Sequence, residues 1–293
     1  MKKIFTVYGN CQSTILAACL QQIKSFKDNF QYYRLPFCHR ITSEQYNTLL
    51  TKIDGIDLIL TQPVSCQFRG GGFDSQSLSK LAKTSISFPS LQFYGYFPSL
   101  TRFKMPKLTE QLTTKVTTLL APYAPLTRDS LYHYNDIRMM IAENYSTSLI
   151  CQYFDSGSRQ ETSIESCKSW SLNYLKEKEL KHDLIPISDY IECHWQKKFL
   201  FYTPRHPSGF VMAELVRRIC DKLNLPVLEH ELDKIRCKDH FSHIRLYIPQ
   251  WIRNNYLSDI TELANEKFFS MTAADTVSLY SNLYHLIPTA LDA

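Results

Sequence analysis

Glycine is scarce in this chain, with 8 in 293 residues. That scarcity excludes a linker-rich or low-complexity protein and leaves most of the length to packed secondary structure. Paired Cys-x-x-Cys spacing is absent. The nine cysteines, at 11, 19, 38, 66, 151, 167, 193, 220 and 237, are an odd number without the tight regular spacing of a secreted disulfide framework. Reduced thiols are the simpler reading. No stretch reaches membrane-spanning length, and only five residues separate Met1-Lys2-Lys3 from the polar Gly9-Asn10, too few for a signal-peptide apolar region. The expectation is a cytoplasmic protein without a transmembrane segment, compatible with a peripheral position at the inner membrane. Blocks of like charge are also missing. The formal charge of +5 is spread among acidic residues, which suits an anionic ligand, and no DNA or RNA motif accompanies it, so no nucleic-acid partner is expected.

What is present is apolar and aromatic. At 44% hydrophobic content, with 18 Tyr and 17 Phe, the chain has the material for a sizeable core. Residues 4–8 form a short apolar run ending at Gly9, and Ile15, Leu16, Cys19, Leu20 and Ile23 then share one helical face. A second strand is expected at residues 30–35, a helix with Ser43 as its N-cap, and a buried parallel strand at residues 56–61. After Pro98 strand signals become rare, and helices are expected at residues 108–120, 129–143, 163–181 and 188–195. A last apolar run at residues 199–202 leads through Pro204-Arg205-His206-Pro207-Ser208 into a helix, with Ser208 as N-cap. A final helix starts at Thr272. The fold class read from this order is α/β, a small N-terminal parallel-sheet subdomain embedded in a predominantly helical fold. We expect one domain over residues 1–293, with the α/β part at 1–100 and the mainly helical part at 101–293.

The chemistry centres on Gly9-Asn10-Cys11-Gln12, where a strand hands over to a helix. A thiol in a first helical turn lies near unpaired N–H groups and the positive end of the helix dipole, which lowers its pKa and makes a nucleophile. The same N–H groups, with the amides of Asn10 and Gln12, can stabilise an oxyanion in acyl transfer. The competing reading is a small buried cysteine beside a turn-forming Asn10. Gln62, Arg69 and Gly70-Gly71-Gly72 follow a strand of the same sheet, so they are expected on the side of Cys11. A glycine run beside a basic residue can cradle phosphate, although no P-loop Lys-Ser/Thr follows and a plain surface turn fits as well. His206, extended before Pro207 in a loop ahead of a helix, is the best-placed general base, against a merely structural role. Cys237, His240 and His243 have helical spacing, but a fourth ligand is not evident, and no metal is expected.

Gly9-Asn10-Cys11-Gln12 after an N-terminal strand resembles the opening motif of the WcbI family, proteins of bacterial polysaccharide biosynthesis regarded as acetyltransferases. Thr61-Gln62-Pro63 with Phe68-Arg69, Phe88-Pro89 followed by Tyr94-Gly95-Tyr96-Phe97-Pro98, and Arg205-His206-Pro207-Ser208 are similar to that family's segments in the same order. The resemblance implies coenzyme A in a deep pocket and O-acetylation of a capsule or surface-polysaccharide sugar. On that reading Cys11, His206, Asn10 and Gln12 are catalytic. Gly9, Gln62, Arg69, Gly70, Gly71, Tyr94 and Arg205 bind the donor, with Arg102 and Lys104 as further phosphate candidates. The partners are acetyl-CoA, a sugar or polysaccharide acceptor and other polysaccharide-assembly enzymes. Tyr94, Tyr96 and Phe97 either stack on a sugar or pack in the core. Two alternatives stay open. One is an SGNH-like or thiol esterase acting on acylated glycans, although the Gly-Asp-Ser pattern is absent. The other is a noncatalytic CoA- or glycan-binding module. Gly70–Gly72 and the tail after about residue 230 match nothing in the family pattern.

Overall fold

The computed structural model describes residues 2–52, 55–70, 73–103, 108–121, 131–158, 163–238, 240–241 and 245–287. Within them the elements run β1 (Lys3–Tyr8), α1 (Cys11–Leu20), α2 (Lys24–Asn29), β2 (Phe30–Tyr32), α3 (Ser43–Lys52), β3 (Leu58–Thr61), α4 (Ser75–Leu81), β4 (Thr84–Ser87), β5 (Leu100–Phe103), α5 (Glu110–Leu120), β6 (Leu131–Tyr134), α6 (Asn135–Ala142), α7 (Thr147–Ser156), α8 (Ile164–Lys181), α9 (Ser188–His194), β7 (Phe201–Thr203), α10 (Gly209–Lys222), α11 (Glu229–Cys237), α12 (Gln250–Tyr256) and α13 (Ala273–Leu286). The protein is mixed α/β, predominantly helical, with a small parallel sheet near its N-terminus. It forms two compact units assembled from separate stretches of chain.

The first unit holds residues Met1–Gln92, Leu172–Trp195 and Arg205–His240. Its sheet has the order β2-β1-β3-β4, all parallel. Every residue of β3 is buried, as a strand covered on both faces requires. On one face Tyr8 and Ile59 pack with Tyr46 and Leu49 of α3 and Leu78 of α4, and the Tyr8 hydroxyl donates to the Phe73 carbonyl at 2.7 Å. Leu16, Ala17 and Leu20 of α1 and Val211, Leu215, Val216 and Ile219 of α10 are fully buried, and α1 and α10 pack together. Gly209 opens α10, where a Cβ would sit 2.5 Å from the carbonyl oxygens of Ile235 and Arg236 in α11. Only glycine permits that approach. Beyond β4, Ser87 and Leu184 form a parallel bridge that shields the sheet edge, with the Ile185 N–H donated to the Ser87 carbonyl.

Three local expectations need correction here. Thr42, not Ser43, caps α3: its Oγ1 accepts from Gln45 N–H, and the Gln45 side chain accepts from Thr42 N–H, a reciprocal capping box. The second strand stops at Tyr32, short of the expected residue 35, and Pro36 downstream has no N–H to offer a ladder. Ser208 does occupy the N-cap of α10, but its hydroxyl makes no capping bond.

The second unit holds residues Phe93–Ser171, Gln196–Pro204 and Phe241–Ala293. Helices α5, α6 and α7 gather around α13, and Tyr134, Phe154, Tyr247 and Tyr280 form a fully buried aromatic cluster. Strands β5 and β6 pair antiparallel, Leu100 opposite Tyr134. The helix expected over 129–143 therefore begins only at Asn135. Residues 131–134 carry two tyrosines and prefer the strand. The expected helix at Thr272 is present, capped by a reciprocal box with Asp275.

Candidate functional site

The strand order locates the site. From β1 the chain crosses to β2 on one side and later returns to β3 on the other, so the crevice beyond the C-terminal ends of β1 and β3 is the topological switch point of the sheet. Gly9 to Gln12 follow β1, and Gln62 follows β3 directly.

Gly9 is the first constraint. A Cβ there would lie 2.5 Å from Oε1 of Gln62, so the residue must be glycine for the two strand ends to close on each other. Asn10 then caps α1. Its backbone N–H donates to Gln62 Oε1 at 2.8 Å, its Oδ1 accepts from Gln12 N–H at 2.9 Å, and its Nδ2 donates to Ser90 Oγ. Gln12 is buried. Its Nε2 donates to the carbonyls of Leu91 and Arg205, and its Oε1 accepts from Leu91 N–H and from Gln62 Nε2. Gln62, also buried, gives its other amide hydrogen to the Pro89 carbonyl.

These bonds assign roles more sharply than sequence could. Gln12, expected to offer its amide to an oxyanion, has spent both Nε2 hydrogens on backbone carbonyls. It is a positioning residue, as is Gln62. Together they tie four distant segments, around residues 10, 62, 90 and 205, into one knot.

Cys11 opens α1 with a half-buried, free thiol. Its own N–H and that of Gln12 face the sulfur and favour the thiolate, as does the charge of Arg205, but burial outweighs them and pushes the thiol up from its ordinary range. The expected lowering is therefore reversed. Sequence placed the thiol at a helix start but carried no measure of its desolvation. Cys38, unremarked in the sequence, is buried nearby with its thiol likewise raised by burial, and its N–H donates to the Gly9 carbonyl at 2.8 Å.

The Gln12 bond to Arg205 brings the loop of residues 205–208 beside the Cys11 turn. Arg205 is exposed and His206 half-buried within that loop. Arg69 lies within electrostatic reach of Cys38, which is in turn within reach of Cys11. Arg69 adopts a left-handed backbone (φ 55), donates from Nη1 to the Ile41 carbonyl at 2.6 Å and lays its guanidinium 4.7 Å from the Phe73 ring centroid. Gly70 ends the short turn that contains it, while Gly71 and Gly72 lie outside the described residues. In the second unit Tyr94 is half-buried, its N–H bonded to Ser171 Oγ and its ring edge-on to Trp170, whereas Tyr96 and Phe97 are fully buried core residues. The Arg102 side chain, Lys104 and His243 fall outside the described residues. Among the described residues no group of His, Cys, Asp and Glu could hold a metal ion, and no helix is long and apolar enough to cross a membrane.

The residues missed by sequence reading line a pocket of about 390 Å³ against the start of α1: Thr14, Arg34, Leu35, Pro36, Phe37 and Arg40. Thr14 lies one helical turn after Cys11. The two arginines flanking a Pro-Phe step were the available signal.

A family model described as "Polysaccharide biosynthesis enzyme WcbI" matches residues 4–228, a span that contains every residue of the Cys11 knot. The chain belongs to the WcbI family. A solved WcbI structure, described as that of a novel polysaccharide biosynthesis enzyme in its native form without a disulfide bond between coenzyme A and one of its cysteines, shares the fold. It matches with a TM-score of 0.64 and 21% sequence identity over 100% of this chain and 99% of that one. No curated protein matches the chain. The WcbI fold thus extends past the family model's limit at residue 228 to the C-terminal helices.

Proposed function

We propose that this WcbI family member is an acetyltransferase that moves an acetyl group from acetyl-CoA to a sugar hydroxyl in capsule or surface-polysaccharide biosynthesis. The observation that carries the reading is the Cys11 thiol, held at the switch point of a parallel sheet with two backbone N–H groups facing its sulfur. Its support in the comparisons is the solved relative, described as native and without a disulfide bond between coenzyme A and a cysteine, which makes a thiol-bearing donor the natural partner for this crevice.

The residues divide the work. Cys11 is the nucleophile. Because burial keeps it protonated at neutral pH, it needs a base, and His206 in the adjoining loop takes its proton. The sulfur attacks the thioester carbonyl, coenzyme A leaves as its thiol after regaining a proton, and the acceptor hydroxyl then displaces Cys11 with His206 again removing the proton. The Cys11 N–H at the start of α1, with the positive end of the helix dipole behind it, stabilises the oxyanion at each stage. Arg205 favours negative charge at the sulfur. Nine free cysteines and an acetyl-CoA donor both suit a reducing compartment, the cytoplasm.

Intact-protein mass spectrometry during turnover tests the covalent route. An acetyl adduct on Cys11, lost on adding acceptor and absent in Cys11→Ala, is expected. Retained activity in Cys11→Ala without any adduct would assign catalysis to direct attack by a hydroxyl that His206 deprotonates. Absence of acetyl transfer with every acceptor, despite coenzyme A binding, would overturn the enzyme reading.

A further inference from the structure

We infer that a cavity at the N-terminal end of the parallel sheet, with Lys3, Phe30, Leu58 and Leu225 in its lining, is a second binding site for a small monoanion with an apolar body, an arylalkyl or branched-chain carboxylate. It lies at the opposite end of the strands from Cys11, separated by the length of β1, about 20 Å. The assignment does not rest on the function proposed above.

The strands build the floor. Each of the four contributes its first residue: Lys3 from β1, Phe30 from β2, Leu58 from β3 and Thr84 from β4. Lys3 is opposite Phe30, Leu58 is opposite Thr84, and Phe5, two residues on from Lys3, is opposite Leu58. Residues in register share a face, as do residues two apart on one strand, so all four point the same way. Phe30 and Leu58 are buried, whereas Lys3 and Thr84 are exposed. The floor is apolar and the rim polar.

The wall is formed before any ligand arrives. Helix α10 ends in a Schellman turn, with Asn224 left-handed (φ 54) and the Leu225 N–H donated to the Cys220 carbonyl at 2.9 Å. That turn sets Leu223 and Leu225 along the cavity. The chain beyond it is tied to α2: Ser25 Oγ donates to the Pro226 carbonyl at 2.6 Å, and Glu231 accepts from the Lys24 N–H at 2.7 Å. Asn29, the last residue of α2, completes the lining. The volume of about 330 Å³ falls within the range of small-molecule sites.

Charge selects the ligand. Two ammoniums and one carboxylate line the cavity. Asp57 accepts from the Ile4 N–H at 2.8 Å and from Lys83 Nζ at 2.9 Å, and these two bonds hold its carboxyl below the usual range. Lys83 is thereby neutralised. Lys3 acts on Asp57 only through its field, and among the described residues its ammonium has no hydrogen-bond or ion-pair partner. Asn29 donates one amide hydrogen to the Ser25 carbonyl and keeps another to give. One unmatched positive charge suits one carboxylate and not a polyphosphate, and the Phe and Leu surfaces beneath it favour an apolar body over a sugar.

Leucine-methyl NMR on the full chain tests the site. The probes are phenylacetate, cinnamate and isocaproate, with acetate as the control lacking a body and phenylacetamide as the control lacking charge. At least one of the three carboxylates is expected to shift the methyl signals of Leu58, Leu223 and Leu225, at lower concentration than either control. Lys3→Gln should weaken that binding roughly tenfold, the scale of one charge-assisted contact. Leu225→Glu, which sets a like charge in the wall, should abolish it. Circular dichroism confirms folding, and the exposed Lys3→Gln decides the matter by itself if Leu225→Glu does not fold. Binding that Lys3→Gln leaves unchanged, or that phenylacetamide matches, overturns the anion assignment, and an equal response to acetate overturns the apolar body. Shifts confined to Leu16 and Leu20 of α1 would put the ligand in the Cys11 crevice and overturn the site, as would failure of all three carboxylates on wild type.

Discussion

Gly9 and Cys11 illustrate opposite uses of a crowded place. At Gly9 crowding is steric. An added Cβ would press on Gln62 Oε1 and disrupt the bond that Gln62 accepts from Asn10. Gly9→Ala is expected to cost about 1–3 kcal/mol, the usual range for overpacking, measured by urea unfolding. An unchanged midpoint would mean that Gln62 yields without loss. At Cys11 crowding is dielectric. Burial raises the thiol, so its alkylation by iodoacetamide should be slow at neutral pH and should accelerate only as pH climbs beyond the ordinary thiol range. Peptide mapping of the modified protein checks this, and rapid pH-independent labelling at pH 6–8 would contradict it. The motif around Cys11 was readable from sequence because Gly, Asn and a cysteine at a strand-to-helix step each have a local reason to be there. The direction of the thiol shift was not, because desolvation comes from residues distant in the chain.

Elements follow the same division. Helices α1, α8, α10 and α13 announce themselves through apolar spacing and caps, and they form close to where the sequence puts them. Strand β6 does not, because its four residues gain their partner only from β5 across a long connection. That strand carries His133, buried with its Nδ1 2.5 Å from the Tyr284 hydroxyl. Burial first, and Arg138 second, lower its pKa to about 4. In the unfolded chain the imidazole titrates near 6.5. Stability drawn from keeping it neutral is therefore complete above about 6.5 and drains away as pH falls toward about 4. Thermal unfolding between pH 7 and pH 4 should show this loss, up to about 3 kcal/mol, and His133→Gln should flatten the profile. An equal slope in the variant would trace the acid sensitivity elsewhere.

At the scale of the molecule, the sheet and its covering helices are far apart in sequence. Helices α9, α10 and α11 belong to the same compact unit as β1 to β4, although more than a hundred residues intervene between β4 and α10. No periodicity reveals such a pairing, since an amphipathic helix states that it must be covered but not by what. A fragment comprising residues 1–100 is accordingly expected to lack cooperative thermal unfolding, because the fully buried face of α10 would be missing from its core. A sharp two-state transition in that fragment would show the sheet to be self-sufficient.

The knot of Gln12 and Gln62 has one more consequence. Its bonds join uncharged amides to one another and to the backbone, so neither ionic strength nor acidity loosens it. The amide frame itself carries no net charge, and the charge that reaches the sulfur comes from the Arg205 side chain. Whatever response to salt this protein displays on meeting a small molecule then belongs to the guest and its immediate contacts, which makes titration with salt a clean meter of how many negative charges that guest brings.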